Sequence, residues 1–66
     1  MKKEVITKLL EVTEKEIIQG ELMIAFYEER AKKQESEESA KTLLKVEQLK
    51  SALTFNQEFN EYLKSL

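Results

Sequence analysis

The chain has 66 residues and a formal net charge of −2, and no Cys, His, Pro or Asp occurs in it. Without Cys it forms no disulfides, and without His it lacks the commonest zinc ligand and the usual general base near neutral pH. The weak charge gives no electrostatic reason to expect nucleic acid or an anionic membrane as a partner. Because a chain this short buries only about 60% of its unfolded surface, we expect oligomerisation or docking on a partner to supply the missing stability.

The first predicted helix spans about residues 3–33. Gly20 is its only break signal, since an interior Gly costs about 1 kcal/mol against Ala. A helix that continues through Gly20 is predicted, and two shorter helices with a bend there are the alternative. Apolar and small residues recur at alternating spacings of four and three, which is typical of a helix–helix interface. They are Ile6, Leu10, Thr13, Ile17, Gly20, Ile24, Tyr27 and Ala31.

Six consecutive apolar residues, Leu22 to Tyr27, stand within this helix. They go more than once around a helix of 3.6 residues per turn, so one neighbouring helix cannot cover all of them. The first helix is therefore predicted to carry more apolar surface than a two-helix contact buries. A second line of apolar residues lies beside the interface residues and consists of Val5, Leu9, Val12, Met23 and Phe26.

A polar stretch at residues 34–38 predicts a turn. Lys32 and Lys33 favour a helix C-terminus before it, and Glu37 and Glu38 favour a helix N-terminus with Ser36 as N-cap. The second helix is predicted over about 37–64, and one uninterrupted helix through the whole chain is the alternative. The apolar face of the second helix consists of Ala40, Leu43, Leu44, Val46, Leu49, Ala52, Leu53, Phe55, Phe59, Tyr62, Leu63 and Leu66.

An antiparallel hairpin with its turn near Ser36 sets Gly20 opposite Ala52, and these two residues are predicted to be a point of close helix approach. Smaller residues of the first helix then meet larger ones of the second, which is the complementarity that packing requires. The other predicted pairs are Ile17 with Phe55, Thr13 with Phe59, Leu10 with Tyr62 and Ile6 with Leu66.

The predicted fold class is all-α: an antiparallel two-helix hairpin, one domain over residues 1–66, which pairs into a homodimeric four-helix bundle. A bundle would bury the surplus apolar residues, and a groove on a partner protein would do the same. The residues predicted to face a second copy or a partner are Leu22, Met23, Phe26, Leu9, Val12, Phe55, Phe59 and Tyr62.

Nothing in the sequence indicates a catalytic, cofactor or metal site. Glu11, Glu14 and Glu16 form the densest acidic group, but they stand among lysines on a face predicted to be solvated. A carboxylate di-metal bundle needs Glu-x-x-His pairs, and Gly-rich phosphate loops and nucleophile motifs are missing. The sequence therefore predicts no enzyme, no cofactor and no metal. With no apolar run near the about 20 residues of a membrane span, a cytoplasmic protein is expected.

Length and helical pattern resemble those of the Rop type of plasmid copy-control proteins, which are homodimers of helical hairpins that bind RNA loops. This resemblance implies a hairpin dimer, and its functional counterpart here would be a nucleic-acid-binding surface built from Lys2, Lys3, Lys8 and Lys64. The leading prediction is a small non-enzymatic interaction module: a dimeric regulator or inhibitor, of phage or plasmid type, that binds another protein. A structural subunit of a larger assembly is a further alternative, and nucleic acid and membrane are not expected as partners.

Overall fold

The structure is a computed structural model that describes residues 2–66; Met1 of the predicted domain lies outside the described residues. Two α-helices, α1 (Lys2–Lys32) and α2 (Ser36–Lys64), pack against each other in a rod whose Cα atoms extend over 51 × 14 × 13 Å. The predicted all-α hairpin is confirmed. Because α1 runs without a break through Gly20 and a turn separates it from α2, the bent helix and the single long helix are both wrong.

The turn is short and uses only right-handed or extended backbone. At the end of α1 the N–H groups of Lys33 and Gln34 donate to the carbonyls of Arg30 and Ala31 at 3.1 and 3.3 Å, which tightens the last turn of the helix. The Thr42 hydroxyl then donates to Oε1 of Gln34 at 2.5 Å and ties the turn to α2. No residue between 2 and 66 has a positive φ, as expected where the turn contains no Gly.

Ser36 is not the N-cap of α2, as the sequence predicted, but its first helical residue. Glu35 occupies the N-cap position with extended dihedrals (φ −67°, ψ 160°), and its side chain makes no capping hydrogen bond. The polar stretch at residues 34–38 predicted the position of the turn correctly, but it did not determine which residue is the N-cap of α2. The backbone geometry at the helix end decides this, and Ser and Glu can both adopt that geometry.

The interface of α1 is the predicted one. All eight residues of the four-and-three pattern are buried or half-buried, and Thr13, Ile24 and Ala31 are the most deeply buried. The spacing keeps one face of α1 on α2 over its whole length, as in a coiled coil.

The interface of α2 differs from the predicted one. Four residues of the predicted apolar face, Val46, Leu49, Leu53 and Leu63, do face α1. Phe55 is 66% exposed, Tyr62 is 59% exposed and Phe59 is half-buried, so the aromatic line lies at the edge of the interface and not at its centre. The register is shifted by one residue: Thr13 meets Asn60 instead of Phe59, and Gly20 meets Leu53. Two asparagines interrupt the true interface, so a prediction from apolarity alone selected the neighbouring aromatic line. The interface residues of α2 are Ser39, Thr42, Val46, Leu49, Leu53, Asn56, Asn60 and Leu63.

A buried polar contact joins the two helices near the chain termini. Nδ2 of Asn60 donates to the Thr13 hydroxyl at 2.9 Å, and that hydroxyl donates to the Leu10 carbonyl at 3.2 Å. Thr13 and Asn60 are only 3% and 4% exposed. Because the contact forms in one register alone, it fixes how α2 slides along α1.

Gly20 does not serve the close approach to Ala52 that the sequence predicted. A Cβ placed on Gly20 would lie 3.5 Å from Cδ1 of Leu53, which is ordinary van der Waals contact, and Ala52 is exposed. The one-residue shift in register moves Ala52 out of the contact. No described helix is long and apolar enough to cross a membrane.

Candidate protein-interaction surface

One side of the hairpin, here called the apolar side, is built from the residues that directly precede the interface residues of each helix. A step of one residue along a helix rotates the side chain by about 100° around the helix axis. Because α1 and α2 are antiparallel, the residues that precede the interface residues of α1 and those that precede the interface residues of α2 lie on the same side of the hairpin. Val5 and Tyr62 accordingly line one cleft, and Met23 and Ala52 line another. The main members of the apolar side are Val5, Leu9, Val12, Glu16, Gln19, Met23, Phe26, Arg30, Glu38, Lys41, Lys45, Gln48, Ala52, Phe55, Phe59, Tyr62 and Leu66.

The opposite side, here called the charged side, is built from the residues that directly follow the interface residues. Glu28 and Lys50 form an ion pair of 3.7 Å across it and link the two helices. Both partners are about half exposed, so this pair stabilises the hairpin by no more than about 1 kcal/mol. The charged side has four apolar members, Ile18, Ala25, Ala40 and Leu43, and is otherwise polar: Thr7, Glu11, Glu14, Glu21, Glu28, Lys32, Glu47, Lys50, Thr54, Gln57, Glu61 and Lys64.

The apolar side changes character along its length. Its open half lies towards the chain termini and carries the large apolar residues, broken by Glu16. Phe55 and Phe59 stack there with ring centroids 6.1 Å apart. The open half consists of Val5, Leu9, Val12, Phe55, Phe59, Tyr62 and Leu66.

The turn half of the apolar side is mixed. Met23 and Phe26 of α1 lie there and share a hollow with Leu22, which is 67% exposed. Arg30, Lys41 and Lys45 add three cations and Glu38 one anion, for a net charge of +2. All ion pairs found among residues 2–66 involve Lys32, Lys50 or Lys64, so the three cations of the turn half pair with no carboxylate in this part of the chain.

The predicted interaction residues are distributed as follows. The run from Leu22 to Tyr27 does surround α1: Ile24 faces α2, Met23 and Phe26 lie on the apolar side, and Leu22 points away from α2 and is 67% exposed. The other predicted residues come together on the open half and are Leu9, Val12, Phe55, Phe59 and Tyr62. Whether they contact a second copy or a partner stays a prediction.

Sequence reasoning missed Asn60 as an interface residue and Arg30, Lys41 and Lys45 as a cluster. A signal for Asn60 was present, because it continues the spacing of Val46, Leu49, Leu53 and Asn56 at intervals of three and four. The cluster had no such signal, since it brings together the end of α1 and the start of α2 only in the folded register.

The lysines named for nucleic-acid binding are interleaved with glutamates. Lys64 lies 3.7 Å from Glu61, and Lys8 shares a surface hollow with Glu4 and Glu11. Lys2 and Lys3 border the cleft that contains Val5 and Tyr62. They form no continuous basic groove of the kind that follows a phosphate backbone.

Within residues 2–66 no group of three or more acidic, His or Cys side chains is placed to hold a metal ion. No protein-family model, no curated protein and no solved structure matches the chain.

Proposed function

We propose that the chain is a non-enzymatic interaction module that forms a homodimer and, as a dimer, regulates or inhibits another protein by binding it. The observation that carries the proposal is the apolar side. Ten large apolar residues of the described chain remain between 39% and 67% exposed, and six of them lie on the apolar side: Val5, Val12, Phe26, Phe55, Tyr62 and Leu66. The buried apolar residues are Ile24, Ala31, Val46 and Leu63. A contiguous apolar surface of this kind marks a contact with another chain.

The dimer is proposed to form through the open half. Its exposed side chains offer roughly 500 Å² per chain, given that an aromatic residue alone buries about 150–250 Å². Two copies would then cover about 1,000 Å², the lower bound for a specific interface. Where the two open halves overlap, the four helices form the predicted four-helix bundle.

The cations of the turn half argue against a dimer that overlaps over the full length. With both turns at the same end, Arg30 and Lys41 would face their own copies, and like charges repel. With the turns at opposite ends and full overlap, the same cations would lie on Val5 and Leu66, where a buried charge lacks a partner. We therefore place the turns at opposite ends with only the open halves overlapping, which leaves both turn halves free.

The free turn half is proposed as the surface that binds the regulated protein. It carries Met23 and Phe26, and Leu22 borders it on the outer side of α1. A helix laid on the turn half would find its apolar anchors on α1, in the hollow that Leu22, Met23 and Phe26 line, and binding of an amphipathic helix by an apolar groove is a common mode of recognition.

A capture experiment tests the regulatory part of the proposal. We expect the chain to retain one protein from its host extract after nuclease treatment and a wash in moderate salt. The Phe26→Lys variant should lose that protein, because a lysine replaces an apolar anchor, whereas Gln57→Lys on the charged side should retain it. Equal retention by both variants, or no retention by the parent chain, would contradict the proposal.

The alternatives gain less support. A nucleic-acid-binding dimer needs a basic groove, and the lysines at the open end alternate with glutamates. A structural subunit of a larger assembly would need a further surface beyond the two halves of the apolar side. We therefore keep the interaction module as the proposed function.

A further inference from the structure

We infer that the partner of the turn half is an acidic amphipathic helix, whose apolar residues rest on Leu22, Met23 and Phe26 and whose carboxylates meet Arg30, Lys41 and Lys45. The inference rests on the proposed function, since it names the chemistry of the protein that the turn half binds. It follows from the charge pattern of the surface.

The three cations are gathered at one place although they come from different helices. Arg30 directly precedes the interface residue Ala31, and Lys41 directly precedes Thr42, so the two side chains leave their helices on the same side of the turn. Lys45 lies one turn further along α2. All three are exposed on a chain whose overall charge is −2, so the patch is basic on an acidic molecule.

Eight of the eleven cations, those of the patch among them, form no ion pair within residues 2–66. Lys32, Lys50 and Lys64 each lie 3.7–3.8 Å from a glutamate. Within residues 2–66, no carboxylate is that close to Arg30, Lys41 or Lys45. Carboxylates from outside the hairpin would meet cations that need not first give up an internal ion pair, which favours complementary association.

The neighbouring apolar residues decide between an acidic helix and a nucleic acid. Phe26 is 60% exposed, Leu22 in the same hollow is 67% exposed, and each gains by contact with aliphatic side chains. A helix with apolar residues at intervals of three and four presents such side chains and places its acidic residues beside them. A phosphate backbone would meet the cations but leave the apolar residues uncovered.

The test is selection from a phage-displayed library of random peptides, about sixteen residues long, with the intact chain as the bait. We expect the enriched peptides to combine a helical apolar stripe with Asp or Glu. A synthetic copy of an enriched peptide should bind the double variant Arg30→Glu/Lys41→Glu at least about tenfold more weakly than the parent chain, and should bind more weakly in high salt.

The matched control is Lys32→Glu/Lys64→Glu, which reverses two cations of the charged side that pair only within their own helices, and it should change the affinity less than about twofold. Enrichment of basic or uncharged peptides, no enrichment at all, equal loss in both double variants, or preferential binding of a random RNA pool would each overturn the inference. The mass of the bait is measured in parallel: a dimer that selects no acidic helix refutes only this inference, whereas a monomer refutes the proposed dimer.

Discussion

Asn60 and Thr13 carry the polar contact on which the register of the hairpin depends. Removing the Thr13 hydroxyl leaves the buried Asn60 amide without its partner at a position that is 4% exposed. An unsatisfied buried donor costs about 1–3 kcal/mol, whereas replacing both members by apolar residues of similar size is close to neutral.

We therefore expect Thr13→Val to lower the free energy of unfolding by about 1–3 kcal/mol, and Thr13→Val/Asn60→Leu to recover most of that loss. Urea unfolding at one fixed protein concentration measures both, and a double-mutant cycle gives their coupling. Thr54→Val, on the charged side, is the control and should change little. A neutral Thr13→Val would show that the contact does not form in solution.

Gly20 offers a second test at the scale of single residues. A Cβ fits at ordinary contact distance from Leu53, and the helix is regular there, so Gly20→Ala should stabilise the fold by about 0.5–1 kcal/mol. Thermal unfolding followed by circular dichroism should show a Tm higher by several degrees. Ala25→Gly, an exposed position of the same helix, should lower Tm by a similar amount. A lower Tm for Gly20→Ala would mean that the helices approach more closely than described.

The N-terminus of α2 lacks a side-chain cap, and this is a property of the element. Glu35 has the extended dihedrals of an N-cap, but its side chain does not bond to the N–H groups of the first turn. Glu35→Asp keeps the charge and supplies a shorter acceptor, so it should raise the free energy of unfolding by about 0.5–1 kcal/mol. Glu35→Gln should not raise the free energy of unfolding. Equal stability of all three chains would show that water already satisfies these N–H groups.

At the scale of the helices, the existence, type and length of both elements were predictable from the sequence. Both helices lie within one residue of their predicted bounds, because strong helix formers and regular spacing leave few alternatives. The orientation of α2 was not predictable in the same way. Two lines of residues, one residue apart, compete to face α1. In the more apolar line, Phe55 and Tyr62 are exposed and Phe59 is half-buried.

At the scale of the whole molecule, the surplus of apolar surface was predictable, but its arrangement was not. The number of apolar residues along α1 indicates more apolar surface than one neighbouring helix can cover. The register between the helices decides which residues share a side. It brings Val12 and Phe59 to one side and Glu28 and Lys50 to the other, and contacts such as that of Thr13 with Asn60 fix this register.

The proposed overlap of the open halves predicts an elongated dimer. Two rods of 51 Å that overlap over half their length extend to about 75–80 Å, given a rise of 1.5 Å per residue. Small-angle X-ray scattering on the dimer measures this dimension. A maximum dimension near 55 Å would instead indicate overlap over the full length, and the turn halves would then not be free.

The open half itself is tested by one substitution. Phe55→Lys places a charge in the middle of the apolar residues that the second copy is proposed to cover, so it should weaken dimerisation by about tenfold or more, since burying an unpaired charge is unfavourable. Gln57→Lys, two residues away on the charged side, adds the same charge and should leave the association unchanged. Equal weakening by both variants would place the dimer interface elsewhere.

The most direct measurement is the absolute mass in solution, by light scattering behind a sizing column, of the parent chain over a hundredfold range of concentration. The proposed dimer predicts a mass of twice 7.8 kDa that falls towards 7.8 kDa on dilution. A well-folded chain with a mass of 7.8 kDa at every concentration would contradict it, because the open half would then have no second copy to cover it.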